Sequence, residues 1–123
     1  MSRKIGQMTE WLASLFLRLR GLDVIQRNYV CRRGEVDLVA LQRERQRLPT
    51  LVFVEVRYRS SEQYGGSAAS IDDAKQIRLI KSAEYFVGQF KEYAHLPIRF
   101  DAVLLSRSLY RPKIIWIKDA FDT

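Results

Sequence analysis

Residues 51–57 read LVFVEVR, and this stretch decides the fold of the chain. A run of β-branched and aromatic residues indicates a strand, and so continuous an apolar run is typical of a central strand that is covered on both faces. Charge enters only at its C-terminal end, where Glu55 and Arg57 share one face because side chains alternate along a strand. We therefore expect a buried strand that ends in a polar site.

A strand over residues 35–41 precedes it and contains a second carboxylate. Alternation predicts that Val36, Leu38 and Ala40 share one face and that Asp37 points to the other. If the two strands pair antiparallel through the polar residues 42–50, Asp37 and Glu55 approach each other. Two close carboxylates repel, and a divalent cation offsets that repulsion; oxygen ligands favour Mg²⁺ or Mn²⁺.

A structural role is the alternative for this pair of acids. Buried carboxylates are commonly ion-paired, and Arg33, Arg57 and Arg59 are the candidate partners. We expect a structural ion pair rather than chemistry at Asp101, which lies in a later strand.

Other apolar patterns place the remaining elements around these two strands. Helical spacing predicts a first helix over about residues 6–20, which Gly21 ends and whose apolar face contains Met8, Trp11, Leu12, Leu15, Phe16 and Leu19. A second helix follows over about residues 71–90, with Ser70 and Asp73 as an approximate capping box. Further strands are expected over residues 24–31, 97–105 and 113–118. The order α-β-β-β-α-β, with an extra C-terminal strand, indicates an α/β fold with a mixed central sheet flanked by helices.

Length and composition favour one globular domain over residues 1–123, with 47% hydrophobic and 28% charged residues. Cys31 is the only cysteine and His95 the only histidine, which excludes a disulfide framework and a zinc cluster built from these residue types. No apolar run approaches the length of a membrane span, so we expect a cytoplasmic protein with no membrane partner.

Positive charge gathers in the half of the chain that contains both carboxylates. The net charge is +7, and residues 1–59 hold 12 basic and six acidic residues. A positive surface beside a carboxylate site suits a phosphate backbone, although arginine-rich loops are often only solvated. The predicted nucleic-acid-binding residues are Arg33, Arg43, Arg45, Arg47, Arg59 and Lys75.

Two motifs together resemble the signature of the YraN family of bacterial proteins: residues 34–40, GEVDLVA, and residues 52–59, VFVEVRYR. That family is similar to archaeal Holliday-junction resolvases and to the wider PD-(D/E)XK nuclease group. The resemblance covers about residues 6–105 and implies a restriction-endonuclease-like core. It also implies that Asp37 and Glu55 hold the metal and that Glu10 adds an acid from the first helix. An acid near the start of a helix is also favourable electrostatically, so a purely structural Glu10 stays open.

Arg57 departs from this resemblance, because the family pattern usually has Lys there. Arginine cannot accept a proton near neutral pH, so we expect Arg57 to contact the scissile phosphate, and Lys75 is a candidate relocated lysine. The resemblance thus implies an Mg²⁺- or Mn²⁺-dependent endonuclease acting on DNA, including branched or junction DNA, as a homodimer. The alternatives are a non-catalytic nucleic-acid-binding module that retains the fold, and a protein–protein interaction domain.

Overall fold

The computed structural model describes residues 3–59, 71–107 and 112–121, with the side chains of residues 3–6, 59, 107 and 112 outside the description. Two α-helices and five strands lie in these ranges, together with a short 3₁₀ helix at Lys91–Tyr93. In chain order they are α1 (Arg3–Leu19), β1 (Leu22–Cys31), β2 (Gly34–Gln42), β3 (Thr50–Arg59), α2 (Asp73–Gln89), β4 (Ile98–Arg107) and β5 (Pro112–Ile117).

The strands form one sheet in the order β1-β2-β3-β4-β5. β3 and β4 are parallel, while the pairs β1/β2, β2/β3 and β4/β5 are antiparallel. A parallel pair needs a long crossover, and α2 lies in the connection between β3 and β4. The prediction of an α/β fold with a mixed sheet is confirmed, and the LVFV stretch lies in the central strand as expected.

Apolar side chains from β3 enter two separate clusters, one on each face of the sheet. Phe53 packs on the α2 side, where its ring meets that of Phe86 edge to face at 5.6 Å between centroids. Val52 and Val54 pack on the α1 side with Leu17. Because successive residues of a strand point to opposite faces, a continuous apolar sequence supplies both clusters.

The face that α1 turns to the sheet differs from the one that its apolar spacing predicts. Met8, Trp11, Leu15 and Leu19 are between 42% and 79% exposed, whereas Leu17 is fully buried. The other buried residues of α1 are small or short: Thr9, Ala13 and Ser14. Small side chains let the helix backbone approach the sheet closely, and this fit outweighs the direction of greatest hydrophobicity. No helix in the described ranges combines the length and the apolar character that crossing a membrane requires.

The ends of both helices are set by single residues. Gly21, two residues after the last residue of α1, has φ +93°, the left-handed conformation expected of a helix-ending glycine. At the start of α2 the predicted cap is wrong: Asp72 caps the helix, its Oδ1 accepting a hydrogen bond from Lys75 N at 2.8 Å. Ser70 lies outside the described residues. Asp73 is the first residue of the helix rather than part of its cap.

Candidate metal and nucleic-acid site

The β2–β3 ladder ends where the two carboxylates lie. Pairing runs from Gln42 opposite Thr50 to Leu38 opposite Val54. One more step in this register would pair Asp37 with Glu55. Instead, Asp37 Oδ2 accepts a hydrogen bond from the backbone N–H of Val56 at 2.8 Å. A side chain thus takes the place of a ladder bond, and the two carboxyl groups remain next to each other.

The alternation of β2 also breaks at Asp37. Leu38 belongs to the cluster under α1, whereas Val36 belongs to the cluster under α2. The predicted common face of Val36, Leu38 and Ala40 is therefore wrong for Val36. In the neighbouring strand β1, Asn28 has φ +54° and lies between Arg27, which pairs with Leu38, and Tyr29, which pairs with Val36. A left-handed residue of β1 therefore lies opposite the point at which the alternation of β2 breaks.

Burial raises the pKa of Asp37 to about 8, and the hydrogen-bonded carboxyl of Glu55 and its charge contribute to the rise. The N–H of Val56 acts in the opposite direction, and the charge of Glu10 adds a smaller increase. Two acids in contact cannot both ionise at low cost. The contact with Glu55 and the burial of Asp37 therefore favour the protonated form of Asp37.

Glu10 reaches the same place from α1. Burial raises its pKa, while a hydrogen bond with Asn28 acts to lower it; a hydrogen bond with Asp37 joins it to the carboxylate pair. Gln7, Glu10, Arg27 and Asn28 line a cavity of about 410 Å³. Asn28 is a residue of this site that the sequence did not predict, although asparagine is rare within strands and enriched in left-handed conformations.

Lys75 meets Glu55 from the opposite side of the sheet to Glu10. Glu55 is only 6% exposed, and Lys75 Nζ lies 3.0 Å from its Oε2. The contact is an ion pair by distance, but Oε2 accepts no hydrogen bond from any of the described residues. Lys75 stands in the first turn of α2, so a residue predicted to bind nucleic acid is placed directly at the carboxylates.

The donor set fits a hard divalent cation without forming a preassembled cage. Within residues 3–59, 71–107 and 112–121, no three Asp, Glu, His or Cys side chains are arranged to hold a metal ion. Mg²⁺, however, is often bound by only one or two carboxylates together with water and substrate phosphate. The raised pKa of Asp37 and the buried Glu55 Oε2, which accepts no hydrogen bond within the described part of the chain, are features that a cation would relieve. The metal roles of Asp37, Glu55 and Glu10 stay predictions.

The arginines predicted to bind nucleic acid fall into two locations. Arg33 is exposed in the turn between β1 and β2, near the end of β3 that carries the half-buried Arg57. The other group lies in the connection between β2 and β3, which is at the opposite end of β2 from Asp37: Arg43, Arg45 and Arg47. Five residues of strand separate Asp37 from that connection, about 17 Å.

Two arginines of the distant group contact acids. Arg43 lies 3.6 Å from Asp23, and Arg47 lies 3.8 Å from Glu44. Both pairs are well exposed, so each contributes little to stability. The fold therefore separates this loop from the carboxylates, although the sequence places both in the same half of the chain. The side chain of Arg59 lies outside the described part.

Asp101 is a structural ion pair, as the sequence predicts. Arg99 donates to both carboxylate oxygens, each at 2.8 Å. The indole N–H of Trp116 and the backbone N–H of Asp119 donate to the same carboxylate at 3.0 and 2.9 Å. Asp101 is 1% exposed and has four donors, so it stabilises the β4–β5 region and is not available for chemistry.

Comparisons with known proteins agree with the resemblance read from the two motifs. Residues 9–105 match the model of the family described as "Uncharacterised protein family UPF0102". A UPF0102 protein of Methylobacillus flagellatus is 47% identical over 120 residues, which cover 98% of each chain. One of Pseudomonas aeruginosa is 45% identical over 123 residues (98% of this chain, 94% of that one), and one of Alcanivorax borkumensis is 39% identical over 120 (97% and 92%). The chain belongs to the uncharacterised protein family UPF0102, the YraN family.

Proposed function

We propose that this protein is a divalent-metal-dependent endonuclease that hydrolyses phosphodiester bonds in DNA. The observation that carries the proposal is the pair Asp37 and Glu55, two carboxyl groups in contact where the β2–β3 ladder stops. Two adjacent carboxyl groups are costly to bury, and a bound divalent cation would offset that cost. The order α-β-β-β-α-β and the mixed sheet support a restriction-endonuclease-like core of the PD-(D/E)XK type.

The roles of the residues follow from their positions. Asp37 and Glu55 would supply the oxygen ligands for Mg²⁺ or Mn²⁺, with Glu10 beside them. When bound, the cation would neutralise charge on a phosphate and lower the pKa of a water molecule. Arg57 follows Glu55 by two residues and so lies on the same face of β3, where its guanidinium can contact the scissile phosphate. Asn28 orients Glu10 through their hydrogen bond.

The substrate follows from charge and from the resemblance to junction resolvases. Arg33 and Arg57 lie at the carboxylate end of the hairpin, and the loop with Arg43, Arg45 and Arg47 extends the positive surface to the other end. A span of about 17 Å along β2 is within one turn of duplex DNA. Branched DNA, such as a four-way junction bound by a homodimer in the cytoplasm, is the substrate that we propose.

Arg57 favours a second candidate function, a nucleic-acid-binding module without catalysis. Arginine remains protonated and cannot assist by accepting a proton. If the reaction requires a neutral lysine at this position, the protein has the fold and the carboxylates of a nuclease but no nuclease activity.

A cleavage assay tests the proposal. The protein is incubated with four-way junction, flap and linear DNA in Mg²⁺, Mn²⁺ or EDTA. Cuts that need the metal and disappear in Asp37→Asn and Glu55→Gln are expected. Glu92→Gln is the matched control, because Glu92 is an exposed acid outside the site.

The other results separate the alternatives. DNA binding without cleavage, together with cleavage gained by Arg57→Lys, identifies the non-catalytic module. A protein that binds no DNA even at low salt, where phosphate contacts are strongest, contradicts both functions and leaves a protein–protein interaction domain.

A further inference from the structure

The ammonium of Lys75 stands beside a carboxylate that the proposed function assigns to the cation. Its Nζ is 3.0 Å from Glu55 Oε2, and the Glu55 side chain is 7% exposed. Among the residues that the structure describes, none donates a hydrogen bond to Oε2 in a suitable direction, so charge rather than a directional bond holds the ammonium there. Lys75 therefore neutralises Glu55 but is not locked to it.

The backbone of Lys75 is fixed, whereas its side chain is partly exposed to solvent and can move. Asp72 accepts a hydrogen bond from Lys75 N at 2.8 Å and so holds the first turn of α2. The Lys75 side chain is nevertheless 31% exposed. Its flexible four-carbon stem can carry the ammonium toward solvent while the helix stays in place.

We propose that Lys75 is the resident counter-ion of Glu55, which it yields when a divalent cation binds, and that the released ammonium then contacts a DNA phosphate. This inference rests on the proposed function for the identity of the cation and of the DNA. Two positive groups at one carboxylate repel each other, so Lys75 lowers the affinity of the site for the metal. The same residue strengthens the hold on DNA once the metal is present.

Titration calorimetry with Mn²⁺ alone tests the first half. Lys75→Met keeps the length of the side chain and removes its charge, and we expect it to bind Mn²⁺ about tenfold more tightly than the wild type, within the usual range of coupling between sites. Lys75→Arg retains the charge and should bind close to the wild type. Lys81→Met is the matched control on the same helix, because Lys81 is exposed and lies 3.7 Å from Glu84; its Mn²⁺ affinity should not change.

A second readout needs no variant and therefore does not depend on folding of a mutant. Lysine acylation followed by mass spectrometry should modify Lys75 faster in saturating Mn²⁺ than in EDTA, with Lys81 unchanged. Equal Mn²⁺ affinities of the wild type and a folded Lys75→Met, or an acylation rate of Lys75 that Mn²⁺ does not alter, overturn the displacement.

Binding of uncut DNA tests the second half. With Ca²⁺ in place of Mg²⁺, Lys75→Met should bind junction DNA several-fold more weakly than the wild type, while without divalent metal the two should be equal. If Lys75→Met binds DNA in Ca²⁺ as tightly as the wild type does, Lys75 does not contact a phosphate. The competition between Lys75 and the metal is not contradicted by that result. If neither the wild type nor Lys75→Met binds Mn²⁺, the metal role in the proposed function fails, and the competition fails with it.

Discussion

Asp37 accepts a hydrogen bond from the backbone N–H of Val56 at 2.8 Å, and this bond ends the pairing of β2 with β3. It holds the half-buried carboxyl group of Asp37 in a fixed position beside Glu55. The arrangement gives Asp37 a raised pKa, and it makes the stability of the protein depend on pH in a direction that can be calculated.

Asp37→Asn should remove a pH-dependent destabilisation. The pKa of Asp37 is about 8 in the folded protein against an ordinary 3.8, so between these values the folded state binds a proton that the unfolded state has lost. The stabilising contribution of that proton is complete below about pH 4 and is lost as the pH rises through 8. Unfolding in urea with EDTA should show the wild type losing up to about 1.4 kcal/mol per pH unit relative to Asp37→Asn. Parallel curves would contradict the raised pKa.

Mg²⁺ or Mn²⁺ should raise the melting temperature of the wild type. A ligand at one hundred times its dissociation constant stabilises the folded state by about 2.7 kcal/mol, or roughly 10 °C for a domain of this size. Asp37→Asn and Glu55→Gln should each lose most of this increase, whereas Glu92→Gln should keep it. An increase that persists in both site variants would place the metal elsewhere.

Alanine at Arg43, Arg45 and Arg47 together should flatten the salt dependence of DNA binding. Each phosphate contact removed lowers the slope of log K against log salt by about 0.9. Fluorescence anisotropy at several salt concentrations measures this slope, and the Mn²⁺ affinity should stay constant because the loop lies at the far end of the hairpin. An unchanged slope would exclude the loop from the interface.

Asp101→Ala should destabilise the protein by about 3–5 kcal/mol, because it leaves Arg99 and two N–H donors in a buried region without their acceptor. Asp119→Asn is the control: Asp119 is exposed, contributes its backbone N–H and has φ +54°, which asparagine adopts readily. Thermal melts should show little change for the control. Similar losses in both variants would mean that the Asp119 side chain also matters.

Two leucines of α1 test which face of the helix is buried. Leu17→Ala should cost about 2–5 kcal/mol, because Leu17 is fully buried. Leu15→Ala, two residues away and 42% exposed, should cost under about 1 kcal/mol. Denaturant titrations compare the two, and the opposite order would restore the face that apolar spacing alone predicts.

The sequence by itself determined the strands, the central position of LVFVEVR and which two carboxylates lie side by side where the β2–β3 ladder ends. These follow from local properties. A continuous apolar run suits a strand that is covered on both faces. Burial of an acid inside such a run costs enough free energy to indicate a specific role for that acid. Family membership was readable for the same reason, since both motifs are short and contiguous.

Only the tertiary structure decided which groups meet. Val36 lies in the cluster under α2 instead of sharing a face with Leu38, and four apolar residues of the face predicted for α1 are exposed. Lys75 contacts Glu55 because α2 lies in the crossover from β3 to β4. Five residues of β2 separate the arginine loop from Asp37. Such contacts depend on the fit between elements far apart in the chain, which periodicity and composition do not contain.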